Sequence, residues 1–378
     1  MAGYYKLNLY AKRIQIVGSA DVDLNLHYSH QLIKTLVNDF LEKDAGFVIN
    51  IGKEPIMNDY STIFDWTILE TVAQYHKTNH KKPVPTLGSY ILAFGLTNWK
   101  RNISSNRKSL WIYLVENDLV EVIQLKESHS FGGKLRETQS SIADLLITLG
   151  GKRGVHHSID LFLQQKKPVL CLNIPLGMEE TASESHYKRL CENAETYLEI
   201  KDNFNIGARL SLLNLETQQD TRKILDILNE IIDHILPPKA FFIRLLNPEH
   251  EDFNEVENYF RNIVDPVLKG LEYRRFECEL DPSSEPFMNI EIFENLHFSS
   301  FAFADLTGLR QNCFLELGYS LGQQKKYIIS AKKGTKLPFD TKMIYCHFWN
   351  LDNGIDVEKS RLENFIKQHI NKKPLIST

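Results

Sequence analysis

The sequence predicts an α/β protein made of two Rossmann-like parallel-sheet domains in tandem. Three observations carry that expectation. Short apolar runs typical of strands buried on both faces recur at 13–20, 47–52, 143–149, 167–175, 240–245, 301–304 and 327–331. Segments of helical apolar spacing separate most of them, so strand and helix alternate. Several runs end in glycine, as at Gly18, Gly52 and Gly150, where a strand-to-helix turn brings backbone close to a ligand.

A chain of 378 residues is long enough for two cores, and 43% hydrophobic with 24% charged residues is ordinary for a soluble globular protein. A net charge of −4 forms no basic stripe, so no direct nucleic-acid partner is expected. No apolar run has the length of a membrane span and the N-terminus lacks a signal-peptide pattern. A cytoplasmic protein with no membrane partner is the expectation. The five cysteines, Cys171, Cys191, Cys278, Cys313 and Cys346, are scattered without a Cys-x-x-Cys pair. Neither a zinc site nor a disulfide framework is expected, and no metal or cofactor is required.

The first domain, 1–238, opens on the strand 13–20, whose run ends in Gly18, Ser19 and Ala20. An amphipathic helix at 30–43 and a strand at 47–52 follow. Ile63, Trp66, Leu69 and Val72 give helical spacing over 60–75. Pro83 and Pro85 interrupt the pattern, and 109–115 reads as a strand again. The strand 143–149 then runs into Gly150-Gly151-Lys152-Arg153-Gly154, with a helix through Ile159, Leu161 and Phe162 and a strand at 167–175 behind it. A Gly-Gly-x-x-Gly turn alone is a common structural device. Following a buried strand, and matched by Gly18-Ser19, it predicts one anion-binding pocket charged by Lys152 or Arg153. His156 and His157 are adjacent and diverge, which disfavours a metal pair. A charged helix at 179–197 precedes the amphipathic helix 221–236, which either covers its own sheet or packs on the second domain or another copy. Pro237-Pro238 stops that helix and marks the boundary.

The second domain, 239–378, has a strand at 240–245, a helix at 251–269, a second strand led in by 270–276 and a short helix at 289–296. Its centre is 298–333. There the strand 301–304 is closed by Asp305, Thr307-Gly308 turns the chain, and Asn312 caps a helix that ends at Gly322 before the strand 327–331. A last strand at 343–349 and a helix at 357–370 complete it. Ligands of such sheets sit at the carboxyl ends of the strands. Asp305 lies at that edge and Glu316 in the helix beside it, where the helix dipole favours an ionised carboxylate. Asp305 either caps the turn or faces a substrate. Arg244 and Arg275 are either surface charges or bidentate holders of phosphate.

Two resemblances add to this reading. Ala304-Asp305-Leu306-Thr307-Gly308 and Asn312-Cys313-Phe314-Leu315-Glu316-Leu317-Gly318-Tyr319 resemble the signature of nucleoside 2-deoxyribosyltransferase-like domains, distant relatives of NAD-splitting TIR domains. The likeness spans about 238–349 and includes the opening strand from Ala240 and Pro338-Phe339-Asp340. It implies that Glu316 attacks or stabilises an anomeric carbon, with Asp305, Thr307, Asn312, Arg244 and Arg275 around the substrate. The turns at Gly18-Ser19 and Gly150 to Gly154 resemble the SLOG superfamily, which includes LOG phosphoribohydrolases, over about 14–175. Hydrolytic LOG members carry Pro-Gly-Gly-x-Gly-Thr-x-x-Glu, whereas Val155 stands here for the threonine and Ser158 for the glutamate. A glycine cradle without that carboxylate implies sensing rather than cleavage. Together the resemblances imply an N-glycosidase of bacterial antiviral defence, activated when a nucleotide or cyclic-nucleotide signal assembles a homo-oligomer, with NAD as substrate. A metabolic deoxyribosyltransferase or nucleoside hydrolase, and a non-enzymatic nucleotide-binding regulator, are the rivals.

Overall fold

The computed structural model describes residues 9–84, 87–125, 133–198, 206–236, 238–271, 273–276, 292–293, 295–297, 299–323, 325–338 and 345–370. The chain divides into two compact units, one of Ala11–Leu236 and one of Pro237–Thr378 with Met1–Tyr10. Of the described residues, Leu9 and Tyr10 group with the second unit.

In the first unit the elements run β1 (Arg13–Ser19), α1 (Leu26–Glu42), β2 (Gly46–Asn50), β3 (Ile56–Met57), β4 (Tyr60–Ser61), α2 (Asp65–Asn79), β5 (Ile91–Leu96), α3 (Lys108–Glu116), β6 (Val120–Leu125), α4 (Gly133–Ile142), β7 (Leu145–Gly150), α5 (Arg153–Gln164), β8 (Val169–Leu172), α6 (Ala182–Glu192), α7 (Ala194–Leu198), α8 (Gly207–Ser211) and α9 (Thr221–Ile235). The main sheet has the order β6-β5-β2-β1-β7-β8. All its pairs are parallel. From β1 the chain winds outward to β6, then returns to lay β7 on the other side of β1, so the order reverses between β1 and β7. Every residue of β7 is buried, which explains its unbroken apolar run.

Helix α9 buries Ile224, Leu228, Ile231 and Ile232, each worth about 2 kcal/mol relative to exposure. It lies against α1: Thr221 Oγ1 meets Thr35 Oγ1 at 3.3 Å, and Lys43 Nζ donates to Asn229 Oδ1 at 2.8 Å. Within its own unit the helix thus packs chiefly on another helix rather than on the sheet.

Two local expectations are corrected. Residues 109–115, read as a strand, lie inside α3. Trp111 and Leu114, three apart, face inward, while Ile112 and Val115 stay exposed at 53% and 47%. The strands neighbouring α3 are β5 and β6, which the sequence reading passed over. The stretch 60–75 begins not as helix but as the hairpin strand β4, paired antiparallel with β3.

The second unit runs β9 (Lys239–Ile243), α10 (Phe253–Tyr259), a π-helical turn Phe260–Val264, α11 (Asp265–Gly270), β10 (Arg274–Phe276), β11 (Phe301–Asp305), α12 (Gln311–Gly322), β12 (Lys326–Lys332), β13 (Cys346–Trp349) and α13 (Ile355–His369). Its parallel sheet has the order β10-β9-β11-β12-β13, reversing between β9 and β11. The helix read at 251–269 widens to π geometry just ahead of Pro266, which has no N–H for the regular ladder. Phe242, Phe260 and Phe303 meet edge to face in the core, and Tyr259 stacks on Trp349 at 4.5 Å. Most of the helix read at 289–296 lies outside the described residues. Among the described residues no helix is long and apolar enough to cross a membrane. Thus both parallel sheets of the predicted α/β architecture are present.

Because each unit closes its own sheet and core, a protease acting on the native protein is expected to cut near residues 236–238 and leave two pieces that each melt cooperatively. Gel analysis followed by calorimetry of the pieces checks this. Cleavage confined to the chain ends would count against it.

Candidate functional site

The carboxyl edge of the first sheet is shaped by glycine. A Cβ on Gly18 would lie 1.8 Å from the Leu149 carbonyl oxygen, so β1 and β7 approach only because that atom is missing. One step on, Gly150 and Gly151 turn the chain with φ of 59° and 77°. The Gly151 N–H donates to Ser19 O at 2.8 Å, and Gly151 O accepts from Ala182 N at 2.8 Å. This fixes the turn under the end of β1 and aims the start of α5 across it. The first N–H groups of a helix lack intrahelical partners, so α5 offers donors at this edge.

A cavity of about 860 Å³ opens there. Gly18 and Ser19 of β1, the ends of β2, β5 and β6, and Lys152, Gly154 and Val155 at the start of α5 line it. Lys53, Lys134 and Arg136 add cationic side chains, and Gln15, Asp65 and Gln139 add polar ones. A Cβ on Gly154 would meet Arg136 Nη2 at 2.9 Å, so glycine makes room for that guanidinium over the helix start. Arg107, engaged with both Glu54 and Glu70, holds the chain just beyond Lys53.

Asp65 begins α2 and is the cavity's carboxylate. Its Oδ1 accepts the Asn50 N–H at 2.9 Å, yet burial pushes its carboxyl up to about 6. Ser158, at the position of the LOG glutamate, also lines the cavity and donates its hydroxyl to Gly154 O at 3.1 Å.

Of the residues expected to bind nucleotide, Gly18, Ser19, Lys152 and Gly154 line the cavity, while Gly150 and Gly151 form the turn behind it. Lys152 is largely exposed and pairs with Asp21 at 2.8 Å, which raises its pKa. Arg153 is exposed and is not among the lining residues, so of the two side chains expected to supply charge, Lys152 is the one at the cavity. The first helical turn points it outward, and Arg136 from α4 lies against Gly154 and lines the cavity. Arg136 was missed because nothing in its local sequence marks α4 as crossing the edge.

In the second unit the predicted residues do not converge in one way. Asp305 is fully buried at the end of β11. Its Oδ1 accepts the Thr307 N–H at 3.1 Å, and its Oδ2 accepts the Ser330 hydroxyl at 2.7 Å and Trp349 Nε1 at 2.8 Å. Burial raises its pKa, and these bonds work against the rise. Thr307, also buried, accepts the Lys332 N–H at 2.9 Å. Both residues tie three strands together at the sheet edge. Arg244 pairs with Glu257 and lies 4.9 Å over the Phe260 ring, its side chain only 6% exposed. Arg275 lies on the edge strand β10, opposite Ala240.

Asn312 is exposed at the second position of α12, and Arg310 occupies the N-cap. The chain enters the helix two residues earlier than an Asn312 cap requires. Glu316 is partly buried in the second turn of that helix, and desolvation pushes its carboxyl up to about 7. That reverses the expectation of a dipole-favoured ionised group, since the dipole fades beyond the first turn. Among the described residues no cluster of three or more His, Cys, Asp or Glu is arranged to hold a metal.

Comparison with known proteins bears on the first unit. Two curated relatives, each named ATP nucleosidase Cap17, from Escherichia coli (strain KTE188) and Escherichia coli, are 22% identical over 158 residues. The match covers 41% of this chain and spans 30% of the length of those relatives. A solved structure of DNA processing protein A from Helicobacter pylori, described for its single-stranded DNA binding mode, is 13% identical. It aligns over 59% of this chain and 83% of its own with a TM-score of 0.35, a likeness that carries no functional argument. The family model described as ATP nucleosidase Cap17-like, N-terminal, matches residues 9–232. That match takes in the whole glycine-edged sheet and more than half of the chain, which belongs to the ATP nucleosidase Cap17-like N-terminal family.

Proposed function

We propose that this chain is a nucleotide-directed N-glycosidase of antiviral defence. One observation carries the reading: the cation-lined cavity at the reversal point of the first sheet. Its volume of about 860 Å³ falls within the ordinary range of small-molecule sites, roughly 300–1,000 Å³. Glycine backbone, the start of α5, Arg136 and Lys134 form a phosphate-holding end of the kind nucleotide folds use. Family membership supports the glycosidase half of the proposal. Since both curated relatives are named ATP nucleosidases, ATP is the first nucleotide to test. The TIR-like resemblance of the second unit supports NAD as the next substrate to test.

In this reading the first unit takes a nucleotide or cyclic-nucleotide signal, as its SLOG-like turns imply, and binding assembles protomers for activity. Cleavage of an N-glycosidic bond passes through an oxocarbenium-like state, which a nearby carboxylate stabilises or captures. Glu316 takes that role. Asp305 supports it from within the fold, since both its oxygens are engaged. With NAD the nicotinamide departs as a neutral base from an already cationic ring, so the step needs no metal.

A second reading places the cleavage in the first cavity itself. Asp65 favours it, as a carboxylate lining that cavity with its pKa moved up to about 6. Incubating the purified protein with ATP, NAD and nucleosides, and following free base by chromatography, tests both. Loss of base release in Glu316→Gln assigns the chemistry to the second unit, and loss in Asp65→Asn assigns it to the first. No base from any nucleotide, with or without a cyclic-nucleotide activator, would sink the glycosidase reading.

Arg136→Ala should weaken nucleotide binding by about tenfold or more while melting normally, and Arg153→Ala should bind like the parent. Calorimetric titration decides between them. Equal loss in both would return the charge to Arg153.

If Glu316 acts ionised, base release should climb about tenfold per pH unit up to its raised pKa near 7 and level off above it. The same shift makes a stability prediction. The folded state holds the Glu316 proton more tightly than the unfolded chain, whose value is 4.5, so stability is lost as pH rises from there through about 7. Glu316→Gln should therefore melt higher than the parent at pH 8 and alike at pH 4. A variant that melts lower at pH 8 would show that the carboxylate is not held at a solvation penalty.

A further inference from the structure

We infer that the first unit's cavity reads the base of its nucleotide through Gln15 and selects a base that carries an exocyclic amino group. The inference rests on the reading that this cavity holds a nucleotide.

Gln15 sits in the middle of β1, on the face that also presents Val17 and Ser19, and lines the cavity while only 3% exposed. Gln139 reaches the same place from α4, equally buried. Their amides are oriented by a carbonyl. The Ile49 carbonyl oxygen of β2 can only accept, so Gln139 must turn its Nε2 toward it, at 3.1 Å. That leaves Gln139 Oε1 facing Gln15, which must answer with its own Nε2, at 3.2 Å. Gln15 has then engaged one of its two Nε2 hydrogens on the relay, and its Oε1 is left with no bond at all among the described residues. This oxygen is buried.

Buried acceptors in folded proteins are nearly always paired with protein or ordered water, so an open one on a residue that lines a cavity points to a donor supplied from that cavity. Val17, Val48 and Ile49 give the surrounding wall an apolar character suited to a flat ring. From Gln15 to Ser19 is four strand residues, a rise of roughly 13 Å. That is the span of a nucleotide from its base edge to its phosphates, and Ser19 lies at the glycine turn with the α5 start beside it. With phosphate held at that end, the base edge reaches Gln15. An amino group offers the N–H that Gln15 Oε1 lacks, whereas a base without a donor on that edge leaves the oxygen unpaired.

The test compares ATP with purine riboside triphosphate, which has the same ring system, sugar and charge but no amino group. Calorimetric titration of the intact protein should show ATP binding about tenfold more tightly, the ordinary worth of one satisfied buried hydrogen bond. In Gln15→Met, ATP should fall to the affinity of the purine analogue and the difference should vanish. Equal affinities in the parent protein would overturn the role of Gln15 and leave the nucleotide site standing. Failure of both triphosphates to bind would overturn the site and the inference together. Should Gln15→Met fold poorly, the parent comparison decides alone.

Discussion

Where β1 meets β7 there is room at residue 18 for a hydrogen atom and nothing larger. With Gly18 packed on the Leu149 carbonyl, the two strands stay in register through Ser19 and Gly150, and the chain can reverse on Gly150 and Gly151. The turn hangs from Ser19 O and in turn anchors Ala182, the first residue of α6. From this one close approach follow the direction of α5, the gap over β1 and β2, and the place where Arg136 can lie across Gly154. A larger residue at any of these glycines would push apart strands or a helix rather than fill a void.

The second sheet spends its carboxyl edge differently. Its reversal point carries Asp305, but that carboxylate is enclosed by Thr307, Ser330 and Trp349 and works as a brace between β11, β12 and β13. A buried carboxylate is tolerable when each oxygen is bonded, and removing one partner would leave a charge without solvent or donor. Tyr259 stacks on the same tryptophan, so the brace is continuous with the aromatic core. Glu316, one turn into the next helix, keeps a carboxyl that burial moves toward neutrality. The two carboxylates expected to act as a pair therefore separate into one that holds the edge and one that burial alone perturbs.

Much of this was legible in the chain. Strands buried on both faces announce themselves as unbroken apolar runs, and β1, β2, β7, β8, β9, β11 and β12 were all read that way. The glycine turns were equally plain, because close backbone approach leaves no substitute for the missing Cβ. Residues 109–115 misled since aromatic and β-branched side chains suit strands, yet only Trp111 and Leu114 needed burial, at helical spacing. What stayed hidden depended on distant partners. Asp305 is explained by residues 25 and 44 positions away, Arg136 by a helix crossing, and the Gln15 acceptor by two other elements.

The central claim is that a nucleotide lies in the first cavity with its phosphates at the glycine turn. A crystal structure of the protein grown with ATP tests it most directly. Phosphate density within hydrogen-bond distance of the Gly154 backbone and the Arg136 guanidinium, with the base lying over Val17 toward Gln15, is the expected result. A triphosphate bound elsewhere on the chain, with this cavity holding only solvent, would contradict it.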